Sequence, residues 1–241
     1  KLSMNIPAWQ PEYLESILAI AFVTFGFGIY HFYSISDKIK MKFAAKHGEI
    51  TGLTKRIYSK RYLGAMTIGF IPLFIMLLIF DKSVADYGLT FKNGLLSLYW
   101  ILGLSAFIIV ANYLLSGKEK NLAINPEIRE AEWTKKMVLK SVATISFYLL
   151  GYELMFRGIL LFTTAELFGA WPAIAINVAI YILVHVPKNL VESIGSIPMG
   201  ILLCLITLTT GTIWVAFFVH IALAISNLIF SLKKHPDMKL V

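Results

Sequence analysis

The sequence predicts an all-α fold, a polytopic bundle of about seven transmembrane helices. The chain of 241 residues is 58% hydrophobic and only 15% charged, with a mean hydropathy of +0.73. Soluble domains average about 45–50% apolar and about 25% charged residues. The apolar residues fall in runs close to the roughly 20 residues that a transmembrane helix needs. Basic residues cluster at the ends of those runs, as the anchors of cytoplasmic loops do.

Residues 1–136 are predicted to hold three transmembrane helices, at residues 16–33, 62–80 and 94–115. The segment between the first two, residues 36–61, carries eight Lys and Arg residues against two acidic residues. The positive-inside rule therefore predicts a cytoplasmic loop, and its interleaved apolar residues predict contact with the anionic inner leaflet. A nucleic-acid partner is not expected, because a basic loop between two spans is an ordinary topology signal.

Residues 137–241 are predicted to form a core of four membrane helices, at residues 137–168, 171–185, 191–209 and 212–232. With seven spans and the basic loop inside, we expect the N-terminus outside and the C-terminus in the cytoplasm. Short loops and the lack of an evident targeting segment predict an integral protein of a bacterial inner membrane.

The polar segment before this core is expected to start an amphipathic helix. Asn125 has the character of a helix cap, and Pro126 suits the first helical position. This helix is expected to run directly into the first helix of the core.

Two charged residues, Glu153 and Arg157, lie in the middle of the long apolar run that opens the core. Ionised groups at membrane depth are costly unless they are paired or face a polar cavity. A spacing of four residues places both on one face of a helix, with the acid first as pairing prefers. The pair therefore indicates either a polar functional site or a buried ion pair that only joins helices.

Two histidines, His185 and His220, fall in other predicted spans of the same core. With Glu153 they supply a carboxylate and two imidazoles, which can perform general acid–base chemistry on water. The three residues also match the ligand types of a catalytic zinc site. However, no HExxH spacing is present, and the single cysteine, Cys204, offers no disulfide or thiolate cluster. No cofactor is expected, with a divalent metal on Glu153, His185 and His220 as the alternative.

Three short motifs in this core occur in an informative order. They are Tyr152-Glu153-x-x-x-Arg157-Gly158, then Tyr181-x-x-x-His185, then Thr210-Gly211 followed by His220-x-x-x-Ala224. In this order, residues 137–231 resemble the CPBP family, the CAAX-prenyl-protease and bacteriocin-processing proteins also called Abi. These are intramembrane proteases whose motifs are EExxxR followed by Gly, FxxxH, and HxxxN or a close variant. The resemblance implies a helical membrane core and leaves residues 1–136 as a variable N-terminal region.

Three positions depart from the family pattern, and one of them, Tyr181 in place of Phe, is a mild change. The resemblance implies that the first Glu, with the histidine of the second motif, activates the attacking water, and Tyr152 stands there instead. A tyrosine hydroxyl, with a reference pKa of about 10, is a poor general base near pH 7. The Asn that the resemblance implies for oxyanion stabilisation is Ala224, and loss of one such donor costs roughly a hundred- to a thousandfold in rate. Asn227 lies on the same helix face but about 10 Å from the position of His220 along the axis.

These departures favour a degenerate relative, a pseudoprotease that keeps the fold and binds a membrane protein or peptide in addition to membrane lipids. In such a site we expect Glu153 to pair bidentately with Arg157. Tyr152, Tyr181 and Asn227 are expected to line the cavity.

Two alternatives remain open from the sequence. The first is an active endopeptidase that processes a membrane-associated or lipidated peptide, with Glu153, His185 and His220 as catalytic residues. In that reading Glu192 is a second candidate for the base. The other alternative is a small transporter or channel whose polar cavity holds Glu153 and the two histidines.

Overall fold

The computed structural model describes residues 8–185 and 190–241, and this part of the chain is a bundle of helices. In chain order the helices are α1 (Tyr13–Ile35), α2 (Asp37–His47), α3 (Glu49–Ile79), α4 (Gly94–Leu115), α5 (Glu119–Leu122), α6 (Lys135–Phe168), α7 (Ala170–His185), α8 (Leu190–Thr210) and α9 (Trp214–Lys234). Two strands of two residues each, β1 (Glu132–Trp133) and β2 (Lys239–Leu240), pair in parallel.

Six of the described helices are long and apolar enough to cross a membrane: α1, α3, α4, α6, α8 and α9. The seventh apolar helix, α7, has 16 residues and is shorter. The prediction of an all-α polytopic bundle with about seven spans is therefore confirmed. The sidedness of the termini stays a prediction. The sequence between the predicted spans 171–185 and 191–209 predicts a helix break at Pro187, Lys188 and Asn189, and these residues lie outside the described part of the chain.

The predicted basic loop, residues 36–61, is helical rather than a loop. It forms α2 and the first part of α3, so that the second span begins at Glu49 and runs without interruption to Ile79. Gly48, with a φ of +81°, separates the two helices. α3 extends beyond the apolar run because its polar first turns pack against α2 and α6.

The predicted helix start at Asn125 and Pro126 is wrong. α6 begins instead at Lys135, where the Thr134 hydroxyl accepts a hydrogen bond from the Met137 amide at 3.2 Å. Tertiary packing overrides the local capping signal, because Ile128 and Trp133 are buried against α9. The pairing of β1 with β2 also holds the chain extended just before α6.

α3 and α6 each contain a π-helical segment, Ala65–Phe70 in α3 and Leu154–Leu160 in α6. The two helices cross beside these segments with their backbones in contact. A Cβ added to Gly69 would lie 2.3 Å from the Gly151 carbonyl oxygen, and one added to Gly151 would lie 2.6 Å from that of Ala65. This close crossing places the middle of α6 at the centre of the bundle.

Ion pairs connect the helices at one end of the bundle. Glu127, in the segment before β1, pairs with Lys60 and with Arg61, the latter at 3.0 Å. Arg61 also donates to the Thr144 hydroxyl of α6 at 3.2 Å. Burial raises the pKa of Glu127, but Lys60 and Arg61 outweigh burial and hold this pKa below its ordinary value.

A second set of ion pairs connects α1 and α6 at the other end of the bundle. Lys82 lies 2.7 Å from Glu15 of α1 and 2.6 Å from Glu166 of α6, and Tyr87 donates to Glu15 at 2.9 Å. Burial lowers the pKa of Lys82, but its hydrogen bonds to the two carboxylates raise it above the ordinary lysine value.

Candidate active site

Glu153 lies at the end of the α-helical first part of α6, immediately before the π segment. Its side chain is completely buried. One carboxylate oxygen is hydrogen-bonded to Nδ1 of His220, and the other lies 3.5 Å from Nε of Arg157. An ionised carboxylate only accepts hydrogen bonds, so Nδ1 of His220 donates. Glu153 thus bridges α9 and the second half of α6.

The Arg157 guanidinium is also completely buried. Its closest approach to Glu153 is the 3.5 Å contact of Nε, and none of its three nitrogens donates a hydrogen bond to Glu153, so the expected bidentate pair is not formed. Its central carbon lies 4.4 Å from the centroid of the Tyr181 ring, a cation–π geometry. Within the described part of the chain, Nη1 and Nη2 have no hydrogen-bond partner. The π segment changes the angular relation between positions 153 and 157, because its hydrogen bonds close i→i+5.

His185 joins this cluster through Tyr181, four residues earlier on α7. Their ring centroids are 4.5 Å apart, and Nδ1 of His185 lies 2.8 Å from the Tyr181 carbonyl oxygen. A carbonyl only accepts, so this hydrogen bond assigns the proton to Nδ1. In the neutral imidazole the lone pair is then on Nε2, which gives His185 the tautomer of a base or a metal ligand.

Tyr152 lies between the two histidine-bearing helices. Its ring centroid is 5.9 Å from that of His220 and 6.0 Å from that of Tyr181. The side chain is only 5% exposed, and its hydroxyl has no hydrogen-bond partner among the described residues. The aromatic ring of Tyr152 therefore occupies the place where the resemblance implies a carboxylate.

The structure brings together six of the residues that the sequence singled out: Tyr152, Glu153, Arg157, Tyr181, His185 and His220. Asn227 does not join them. Its side-chain oxygen accepts a hydrogen bond at 3.1 Å from Ser231, one turn further along α9. The Glu192 side chain lies outside the described residues.

Asn177 of α7 is a site residue that the sequence reasoning missed. It is completely buried, its amide donates to the Phe156 carbonyl within the π segment, and its oxygen lies 3.3 Å from Sγ of Cys204 on α8. Asn177 thereby connects three helices around Arg157. The signal was present, because a single amide in a short apolar helix needs a polar partner.

The alternative of a metal site concerns Glu153, His185 and His220. Among the side chains of residues 8–185 and 193–241, no three His, Cys, Asp or Glu residues converge in a group that can hold a metal ion. The described contacts instead commit Glu153 to Arg157 and His220. The expectation that no cofactor is used stays a prediction.

Residues 134–227 match the family model described as Rce1-like, type II CAAX prenyl endopeptidase Rce1-like. The matched segment contains the whole cluster from Tyr152 to His220, and it confirms the resemblance to the CPBP family. Searches of curated proteins and of solved structures found no match. The family match and the six apolar helices together support an integral membrane protein.

Proposed function

Because residues 134–227 are Rce1-like, we propose that this membrane protein binds a lipidated or membrane-embedded peptide in that core without cleaving it. The observation that carries the proposal is the engagement of Glu153 by both Arg157 and His220, with Tyr152 at the position of the family's first Glu. The membrane that best fits the short loops and the basic α2–α3 region is a bacterial inner membrane.

Cleavage of a peptide by this type of site requires a carboxylate that can activate water. In the matched segment the carboxylates are Glu153, Glu166 and Glu192. Glu166 pairs with Lys82 at the far end of α6, and Glu153 is bound on both sides. General base catalysis requires a group within hydrogen-bond reach of the reacting water. Glu153 and Glu166 are both engaged in other contacts, so neither carboxylate is available as the general base.

An active endopeptidase is the second candidate, and the tautomer of His185 favours it. Nε2 carries the lone pair when Nδ1 donates to the Tyr181 carbonyl. An imidazole in that state can hold or deprotonate a water if a carboxylate supports it. Glu192 is the candidate for that carboxylate.

The test uses a C-terminal peptide with and without a farnesyl group, added to the full-length protein in lipid nanodiscs. We expect fluorescence anisotropy to show preferential binding of the farnesylated peptide, and mass spectrometry to show it intact. Release of the C-terminal residues by the wild-type protein, abolished in Glu192→Gln, would establish the endopeptidase instead. Equal binding of the peptides with and without the farnesyl group would contradict the proposal that the ligand is lipidated.

Restoring the family's motif set should create activity. We expect the double variant Tyr152→Glu, Ala224→Asn to cleave the farnesylated peptide at least about a hundredfold faster than the wild type, since one oxyanion donor alone accounts for that factor. Tyr152→Gln, Ala224→Asn is the matched control, because it has the same shape without the carboxylate. If the peptide binds to the first variant and remains intact, the site differs at more than these two positions.

A further inference from the structure

Helix α2 carries a concentration of positive charge that nothing in the described chain neutralises. Its four lysines, Lys38, Lys40, Lys42 and Lys46, are all exposed, and Asp37 is its single acid. In the described part of the chain, none of the four lysines forms a salt bridge, whereas Lys60, Arg61, Lys82 and Lys239 each do. Burial and the ammonium groups of Lys55 and Lys46 lower the pKa of His47, in keeping with a positive local field.

An open apolar groove leads up to these lysines. It has a volume of about 660 Å³ and runs along α1 to the first turn of α2 and to Leu63 of α3. Phe25, Ile29, Phe32 and Ile39 line it. Gly28 forms part of its wall, and a Cβ placed there would meet no atom within 4 Å. The groove therefore has one apolar end within a span and one end at the basic helix.

A second groove in the described chain provides a contrast. It has a volume of about 390 Å³ and is lined by residues of α4 between Leu96 and Leu104, including Gly103. Neither groove has a lysine or arginine among its lining residues, but the first ends at Ile39 of α2, the helix with the four exposed lysines, whereas the second lies on α4, which has no charged residue. A groove that holds only an acyl chain needs no charge beside it, whereas a groove that ends at unpaired lysines suits an acyl chain attached to an anionic head group.

We propose that α1, α2 and α3 form a binding site for one acidic phospholipid. One acyl chain lies in the groove beside Gly28, and the phosphate lies against Lys38 and Lys42, which share the face of α2 that carries Ile39. The site is independent of the cluster around Glu153 and does not require the proposed peptide binding.

The charge is tested by native mass spectrometry of the full-length protein in micelles that contain equal amounts of phosphatidylglycerol and phosphatidylcholine with identical acyl chains. We expect wild-type protein to retain phosphatidylglycerol at least about tenfold over phosphatidylcholine, since each lysine near a membrane surface attracts acidic lipid. Lys38→Gln, Lys42→Gln should reduce that ratio to near one. The double variant Lys118→Gln, Lys120→Gln removes the same charge elsewhere and should leave the ratio unchanged.

The groove is tested by filling it. Gly28→Phe should reduce retained phosphatidylglycerol about tenfold or more, whereas Gly103→Phe, which fills the second groove, should leave it unchanged. Thermal unfolding in detergent verifies that both variants are folded. Equal retention of the two lipids by the wild-type protein would overturn the proposal. An effect of the lysine variants without an effect of Gly28→Phe would overturn the placement of the acyl chain.

Discussion

At the scale of the residue, Glu153 is the side chain on which the buried cluster depends. Its carboxylate is the only described anion in contact with Arg157 and His220, and all of its surface is removed from solvent. Removing one partner of a buried ion pair leaves the other charge uncompensated, which costs about 3–5 kcal/mol. We therefore expect Glu153→Ala to lower the free energy of unfolding in detergent by that amount.

Glu166→Ala is the matched control for this prediction. It removes a carboxylate from the same helix, but Glu166 is 68% exposed where it pairs with Lys82. Exposed pairs contribute about 0–1 kcal/mol. Equal destabilisation by the two variants would contradict a structural role for the buried pair.

The sequence reasoning found most of this cluster because charge in an apolar run is costly and therefore informative. It identified Glu153, Arg157 and both histidines, and the structure brings all four into one cluster. It did not find that His220 contacts Glu153, because residues on α6 and α9 are related only by the tertiary fold. The bidentate pair with Arg157 also failed, since four-residue spacing implies α-helical geometry and the π segment does not have it.

At the scale of the element, α3 and α6 cross at Gly69 and Gly151. This crossing is the closest backbone approach that glycines allow between helices of the described chain. Gly69→Ala would place a methyl group 2.3 Å from the Gly151 carbonyl oxygen, so the helices must separate. Overpacking of this kind costs about 1–3 kcal/mol or more. We expect a corresponding fall in the thermal unfolding midpoint in detergent.

Gly103→Ala serves as the control for the crossing. A Cβ at Gly103 has no atom within 4 Å, and replacing a helix-interior glycine by alanine stabilises by about 0.5–1 kcal/mol. The two substitutions are chemically identical and should shift the midpoint in opposite directions. A shift in the same direction would mean that close backbone contact is not what the glycine at position 69 provides.

The element boundaries show where the sequence is informative and where it is not. α4 runs over Gly94–Leu115, as predicted, because a lone apolar run bounded by polar segments defines both ends. α2 and the start of α3 were predicted as a loop because their charge hides the helical pattern. The cap signal at Asn125 was overridden by the burial of Trp133, a long-range contact that no local signal reveals.

At the scale of the whole molecule, Glu127 connects α3 to the segment that precedes residues 134–227, the part that matches the Rce1-like model. Its pKa is depressed in the folded protein by Lys60 and Arg61. A depressed carboxyl stabilises the fold above its unfolded pKa, near about 4.3, and this contribution is lost as the pH falls through the folded pKa. Wild-type protein should therefore be more stable than Glu127→Gln at pH 7.

The difference in stability between the wild type and Glu127→Gln should disappear as the pH falls. We expect the unfolding midpoints of the wild type and of Glu127→Gln to converge from about pH 5 downwards, as protonation removes the charge that the variant already lacks. Measuring midpoints of both proteins over that range isolates Glu127, because the other carboxyls titrate in both. A difference that persists at acidic pH would show that shape rather than charge joins Glu127 to α3.

The π segment Leu154–Leu160 makes the number of residues, and not only their identity, a determinant of this site. A turn closed i→i+5 holds one residue more than an α-helical turn. Loss of a single codon between Glu153 and Arg157 would restore an uninterrupted α-helix and leave the flanking parts of α6 in register. Every motif residue would still be encoded, yet Arg157 would follow Glu153 by three residues and meet its carboxylate at a different angle. Relatives that differ here by one residue in length would therefore differ in this contact without any substitution.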